Sequence, residues 1–87
     1  MKISGAIIQE RNISENTPSD FFATYKGKQI SISTSHELGK PNYEHLKRYS
    51  IDVVDIRTGM FDVQTYSDCY SMRDAIREAL KGACLIK

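Results

Sequence analysis

The sequence predicts an α+β domain: an antiparallel sheet of four to five strands with a C-terminal α-helix packed on one face. Three observations carry that expectation. "FFATYKGKQISIST" and "YSIDVVDIRTGMFDVQTY" each set apolar alternation on both sides of a turn, as a β-hairpin does. "SMRDAIREALKGA" reads as a capped amphipathic helix. Gly, Pro, Asn and Ser punctuate the segments between them. Eighty-seven residues suit one compact domain spanning 1–87.

The elements follow in order. Lys2 to Ile13 carries Ile3, Ala6, Ile7 and Ile8 and reads as a strand, with Gly5 marking a bulge or a close backbone approach. Ser14 to Asp20, "SENTPSD", is a loop. In the first hairpin a Lys26-Gly27 turn sets Ala23 against Ile30 and Phe21 against Ile32. One face then holds those four residues, and the other Thr24, Gln29, Ser31 and Ser33. A three-residue turn would pair Phe22 with Ile32 and sort the faces less cleanly. "SHELGKPNYEHLKRY" has two readings. Pro41 can open a short helix over 41–48 with Tyr43, Leu46 and Tyr49 on one side, or the segment is a loop.

In the second hairpin a Thr58-Gly59 turn pairs Ile56 with Phe61, Val54 with Val63 and Asp55 with Asp62. Val54, Ile56, Phe61 and Val63 then form a core stripe. The opposite face carries Ile51, Val53, Asp55, Arg57, Met60, Asp62, Gln64 and Tyr66. Opposed Asp55 and Asp62 repel, and Arg57 lies diagonally beside them. The helix runs from Ser71 to Lys81. Ser71 caps it, Asp74 completes a box-like pattern, and Gly82 stands at the C′ position. Met72, Ala75, Ile76, Ala79, Leu80 and Ala83 form its apolar stripe.

Composition bounds the function. Hydrophobic content of 40% with 26% charged residues is that of a globular chain, not a disordered one. The net charge of +1 argues against a dedicated nucleic-acid binder. Charge is nevertheless segregated. Residues 52–74 hold Asp52, Asp55, Asp62, Asp68 and Asp74 against Arg57 and Arg73, a net charge of −3. No signal peptide or apolar span is apparent, so the protein is expected in the cytoplasm of its host cell with Cys69 and Cys84 reduced. "CLIK" meets the loose prenylation pattern, but Lys is not a usual last residue, and an apolar tail on the core is the better reading.

Chemistry-bearing motifs are absent from the pattern. His36 and His45 lie nine apart and Cys69 and Cys84 fifteen apart, neither a zinc-ligand spacing. Cys69 precedes a helix start, which favours thiolate, but Asp68 opposes that and no His adjoins. No glycine-rich phosphate loop exists. The reading expects no catalytic residue, no metal and no cofactor, and hence not an enzyme.

The run "VDIRTGMFDVQTYSDCYSMRDAIREAL" resembles in layout the end of double-stranded RNA-binding domains, where a hairpin leads into an Ala-rich helix. That family places a Lys cluster at the helix start. Here Ser71, Met72, Arg73 and Asp74 stand there, so its function does not carry over. The whole chain is similar in style to small phage or mobile-element inhibitors of host defence, the anti-CRISPR proteins. It shares their size and lack of catalytic motif, and "IDVVDIRTGMFD" offers an acid-bearing sheet face. That resemblance implies a stoichiometric inhibitor occupying a functional, often basic, surface of a nucleic-acid-binding complex.

The expectation is therefore a protein–protein interaction module whose Asp55, Asp62, Gln64, Tyr66 and Asp68 meet a basic protein surface. The alternative is a small nucleic-acid-binding regulator using the 40–49 segment, with Lys40, Lys47 and Arg48 beside Tyr43 and Tyr49. Homodimerisation through the C-terminal tail or an edge strand is compatible with either.

Overall fold

In the computed structural model the described residues are 2–9, 20–35 and 45–86. Strands β3 (Phe21–Tyr25), β4 (Lys28–Thr34), β5 (Lys47–Asp55) and β6 (Phe61–Cys69) form one antiparallel sheet in sequence order. Helix α1 (Met72–Gly82) packs on it, lying mainly against β5 and β6. Strands β1 (Lys2–Ile3) and β2 (Ala6–Ile7) make a separate two-stranded hairpin. The class is α+β, as the pattern predicts, with the N-terminal segment outside the main sheet.

The first hairpin of the sheet has the predicted register. Phe21 pairs with Ile32 and Ala23 with Ile30. Lys26 and Gly27 both take positive φ, 49° and 77°, as a type I′ turn requires. Phe21, Ala23, Ile30 and Ile32 are all buried. Gly5 departs from expectation. Ser4 and Gly5, at φ 49° and 89°, turn the chain back on itself, so Gly5 is a hairpin turn residue and not a bulge. Ile3, Ala6 and Ile8 go into the core. Arg73 of α1 donates to the Lys2 carbonyl, and Arg77 Nε lies 3.4 Å from Ser4 Oγ, tying this hairpin to the helix.

The second hairpin corrects the predicted register. Ile51 pairs with Thr65 and Val53 with Val63, and an irregularity at Val53/Val54 brings Val54 opposite Phe61. Tyr49, Ile51 and Val53 therefore face the core. Of the predicted stripe, only Val63 packs on the core; Ile56 and Phe61 are more than half exposed, and Val54 is half-buried on the far side. Asp55 causes the shift by closing a longer connection than two residues. Its carboxylate accepts the Arg57 N–H at 2.9 Å and the Thr58 N–H at 3.1 Å, and its own N–H reaches the Met60 carbonyl at 2.9 Å. Lys47 and Arg48 belong to β5, so no helix spans 41–48 as a whole; residues 41–44, with Lys40 and Tyr43, lie outside the described residues. The predicted loop at Ser14 and onward, Ile13 and His36 also lie outside them, apart from Asp20.

Helix α1 starts as predicted. The Ser71 side chain accepts from the Asp74 N–H at 3.2 Å. Ala75, Ile76, Ala79 and Leu80 are buried, and Met72 and Ala83 pack beside them. Its end differs. Gly82 is the last helical residue, and Cys84, at φ 58°, holds the left-handed C′ position. The Leu85 N–H bonds the Leu80 carbonyl at 2.8 Å and the Cys84 N–H the Lys81 carbonyl at 3.1 Å, a Schellman pair. Gly82 serves packing instead. A Cβ there would sit 2.9 Å from Val63 Cγ2, so its absence lets α1 approach β6. Leu85 and Ile86 pack on the core, which gives the apolar tail a structural role.

Two stability measurements follow. Ile51→Ala should cost about 2–5 kcal/mol and Ile56→Ala about 0.5 kcal/mol or less in urea unfolding. The inverted register demands the reverse order. Gly82→Ala should lose about 1–2 kcal/mol, because the methyl clash outweighs the gain in helix propensity. In a Val63→Ala background the same change should become neutral or stabilising.

Candidate interaction surface on the outer face of the sheet

The corrected register decides which acids share a face. Along β5 the residues Arg48, Ser50, Asp52 and Val54 alternate with the buried set and point away from α1. Their neighbours on β4 are Ser33, Ser31 and Gln29, and on β6 Asp68, Tyr66, Gln64 and Phe61. This outer face thus contains three of the five predicted contact residues: Gln64, Tyr66 and Asp68. Asp55 and Asp62 are elsewhere.

Asp55 pairs with Lys28 across the β4–β5 ladder, on the helix side of the sheet. Lys28 Nζ lies 2.7 Å from Asp55 Oδ2 and 2.6 Å from Asp62 Oδ2. The structure does bring the two carboxylates together, as expected, but the cation between them is Lys28 and not Arg57. Their hydrogen bonds hold the Lys28 ammonium above its ordinary pKa. Lys28, followed by the Thr58 N–H, lowers the Asp55 carboxyl to about 2. Asp55 is a structural acid: one oxygen binds the cation and the other shapes the turn.

Asp68 is also paired. Arg48 Nε donates to its Oδ1 at 2.9 Å, and the two residues are direct cross-strand partners. That hydrogen bond raises the Arg48 pKa further. Asp52 is the acid that sequence reasoning missed. It sits between Ser31 and Gln64 in the ladders, is half-buried, and has no salt bridge to a described residue. Burial pushes its carboxyl up. Tyr66, paired with neighbouring Ser50, lies diagonally beside it and is 53% exposed. Phe61, equally exposed at 53%, stands against Val54 at the end of the same face. A signal for Asp52 was present. From 48 to 53 the polar residues Arg48, Ser50 and Asp52 share one parity and Tyr49, Ile51 and Val53 the other.

Other groups are placed away from reactivity. Cys69 is buried at the end of β6, and desolvation raises its thiol pKa, opposite to an activated nucleophile. An open cleft of about 410 Å³ lies between the two hairpin turns, lined by Lys26, Gly27, Asp55, Ile56 and Arg57. Its only acid is the one bound to Lys28. Among the described residues no three of His, Cys, Asp and Glu cluster to hold a metal. No described helix is long and apolar enough to cross a membrane. Of the alternative basic segment, Tyr49 is in the core and Arg48 is tied to Asp68. No protein family model, curated protein or solved structure matches the chain.

The pKa of Asp55 gives a signed expectation. Its folded value lies below the ordinary 3.8, so its stabilising effect is present above that value and is lost as pH falls toward about 2. Acid unfolding followed by circular dichroism should show stability falling over that window, and Asp55→Asn should remove this part of the slope.

Proposed function

We propose that the protein is a non-enzymatic protein–protein interaction module that works by occupying a partner surface with the outer face of β5 and β6. The observation that carries this reading is Asp52: a half-buried carboxylate with no salt bridge to a described residue, set beside exposed Tyr66 on a strand at the sheet edge. A desolvated acid is costly in the free protein and gains from a cation supplied by a partner. Tyr66 and Phe61 add amphipathic and apolar area of the kind that anchors interfaces. Gln64 and Asp68 complete the polar surround, with Asp68 already held by Arg48.

The partner in this reading presents a basic surface. A stoichiometric inhibitor of a nucleic-acid-binding host-defence complex, in the manner of the anti-CRISPR proteins, fits that chemistry and a cytoplasmic site of action. The support is physical and comes from the charge left on the face. Asp55 and Asp62, assigned to the contact from sequence, are both taken up by Lys28, and Asp55 also holds the turn. The nucleic-acid reading gains no observation, since Arg48 and Tyr49 are engaged within the fold.

The test compares stability with binding. Asp52→Asn should raise the melting temperature at neutral pH, because it removes a carboxylate whose burial is unfavourable to its charge. The same variant and Tyr66→Ala should each weaken partner capture from host extract at least 10-fold. Glu78→Ala, on the exposed side of α1, serves as control. Full capture by both face variants would place the interface elsewhere.

A further inference from the structure

The edge of β6 carries a second, backbone-level feature. The Ser35 N–H bonds the Arg48 carbonyl at 2.8 Å, in line with the β4–β5 register. By alternation the backbone groups of Arg48, Ser50 and Asp52 turn toward β4, and those of Lys47, Tyr49, Ile51 and Val53 toward β6. Their partners Cys69, Ser67, Thr65 and Val63 use their own groups in return. Gln64, Tyr66 and Asp68 are left with N–H and C=O directed away from the sheet. Among the described residues no strand pairs with β6 on that side. All three residues are exposed. Among the described residues the Tyr66 carbonyl accepts only from the Thr65 hydroxyl, at 3.4 Å.

Natural edge strands are usually blunted by charged side chains, especially Lys, by Pro or by bulges; the two acids of β6, Asp62 and Asp68, are each held in an ion pair. β6 has nine residues, "FDVQTYSDC", without Lys, Arg, Pro or Gly, and its irregularity is confined to the Phe61 end. We infer that β6 is a strand-addition site for an extended segment of the partner bearing Lys or Arg at alternate positions. Main-chain bonds to Gln64, Tyr66 and Asp68 set the register, and side chains on the outer side of the added strand meet Asp68 and reach toward Asp52. This rests on the outer-face reading above and names its chemistry. A second copy of the chain fits less well. A second β6 edge has no Lys or Arg and so brings no cation to Asp68 or Asp52.

A capped nine-residue peptide of alternating Lys and Thr is the probe, titrated into the isotope-labelled protein and followed by amide hydrogen exchange. Exchange at Gln64, Tyr66 and Asp68 should slow at least 10-fold, with Val63, Thr65 and Ser67 little changed. Gln64→Pro removes one outward N–H and should fold normally but bind at least 10-fold more weakly. Thr65→Pro breaks the internal ladder and should melt far lower, which checks the assigned directions independently. A peptide with Glu in place of Lys should bind at least 10-fold more weakly. Side-chain shifts at Gln64 and Tyr66 without slowed amides would overturn strand addition and leave the face reading standing. No shift on this face at millimolar peptide would overturn both. Dimers abolished by Gln64→Pro would make a second copy the occupant and overturn the inference.

Discussion

The phase of β5 is the constraint on which the rest depends. It is an interior strand, bonded to β4 on one side and β6 on the other, with α1 over its inner face. Tyr49, Ile51 and Val53 occupy that face between Ile30 and Ile32 of β4 and the helix residues Ile76 and Leu80. Because side chains alternate with a period of two, a slip of one residue would exchange this set for Ser50, Asp52 and Val54. That exchange would bury a carboxylate and expose two large aliphatic groups. The penalty fixes the strand, and the strand in turn fixes which residues look outward.

Charge follows from the same choice. With Asp55 on the helix side, Lys28 is its ladder partner and gathers Asp62 as well. With Arg48 outward, it meets Asp68. Exposed pairs of this kind add little to stability. Their effect here is on what remains. Three acids of the 52–74 segment are paired within the sheet, and Asp52, in its middle, has no salt bridge to a described residue. The segregated charge seen in the sequence therefore resolves into one locus, not a broad patch.

Local signals made much of the fold legible. The Lys26-Gly27 turn, the faces of β3 and β4, the Ser71 cap and the stripe of α1 each rest on interactions within a few residues, which sequence spacing reports directly. The second hairpin failed on Val53-Val54. That adjacent pair gives both parities an apolar run, so alternation alone does not choose between them. The tie is broken by a carboxylate hydrogen bond, Asp55 to the turn N–H groups, and by a lysine from another strand; neither appears in a spacing rule. Gly82 shows the same limit. A glycine after a helical stripe reads as a C′ residue, but here the requirement is the nearness of Val63, a tertiary contact. The five-residue site was half legible for this reason: Gln64, Tyr66 and Asp68 share a face under any register of β6 alone, while placing Asp55, Asp62 and Asp52 needs β5 in phase.

The outer face also explains why an acid with no salt bridge to a described residue and an edge without Lys or Pro can coexist in so small a sheet. A carboxylate in the middle of a face discourages nonspecific stacking of apolar surfaces, since covering it without a cation costs desolvation. The β6 edge has no Lys or Arg of its own and so offers a second copy no cation for that carboxylate. A cationic extended segment is the exception that both features admit. Asp52 and the β6 edge are then one device: each lowers the chance of the wrong contact, and together they leave a narrow chemistry for the right one.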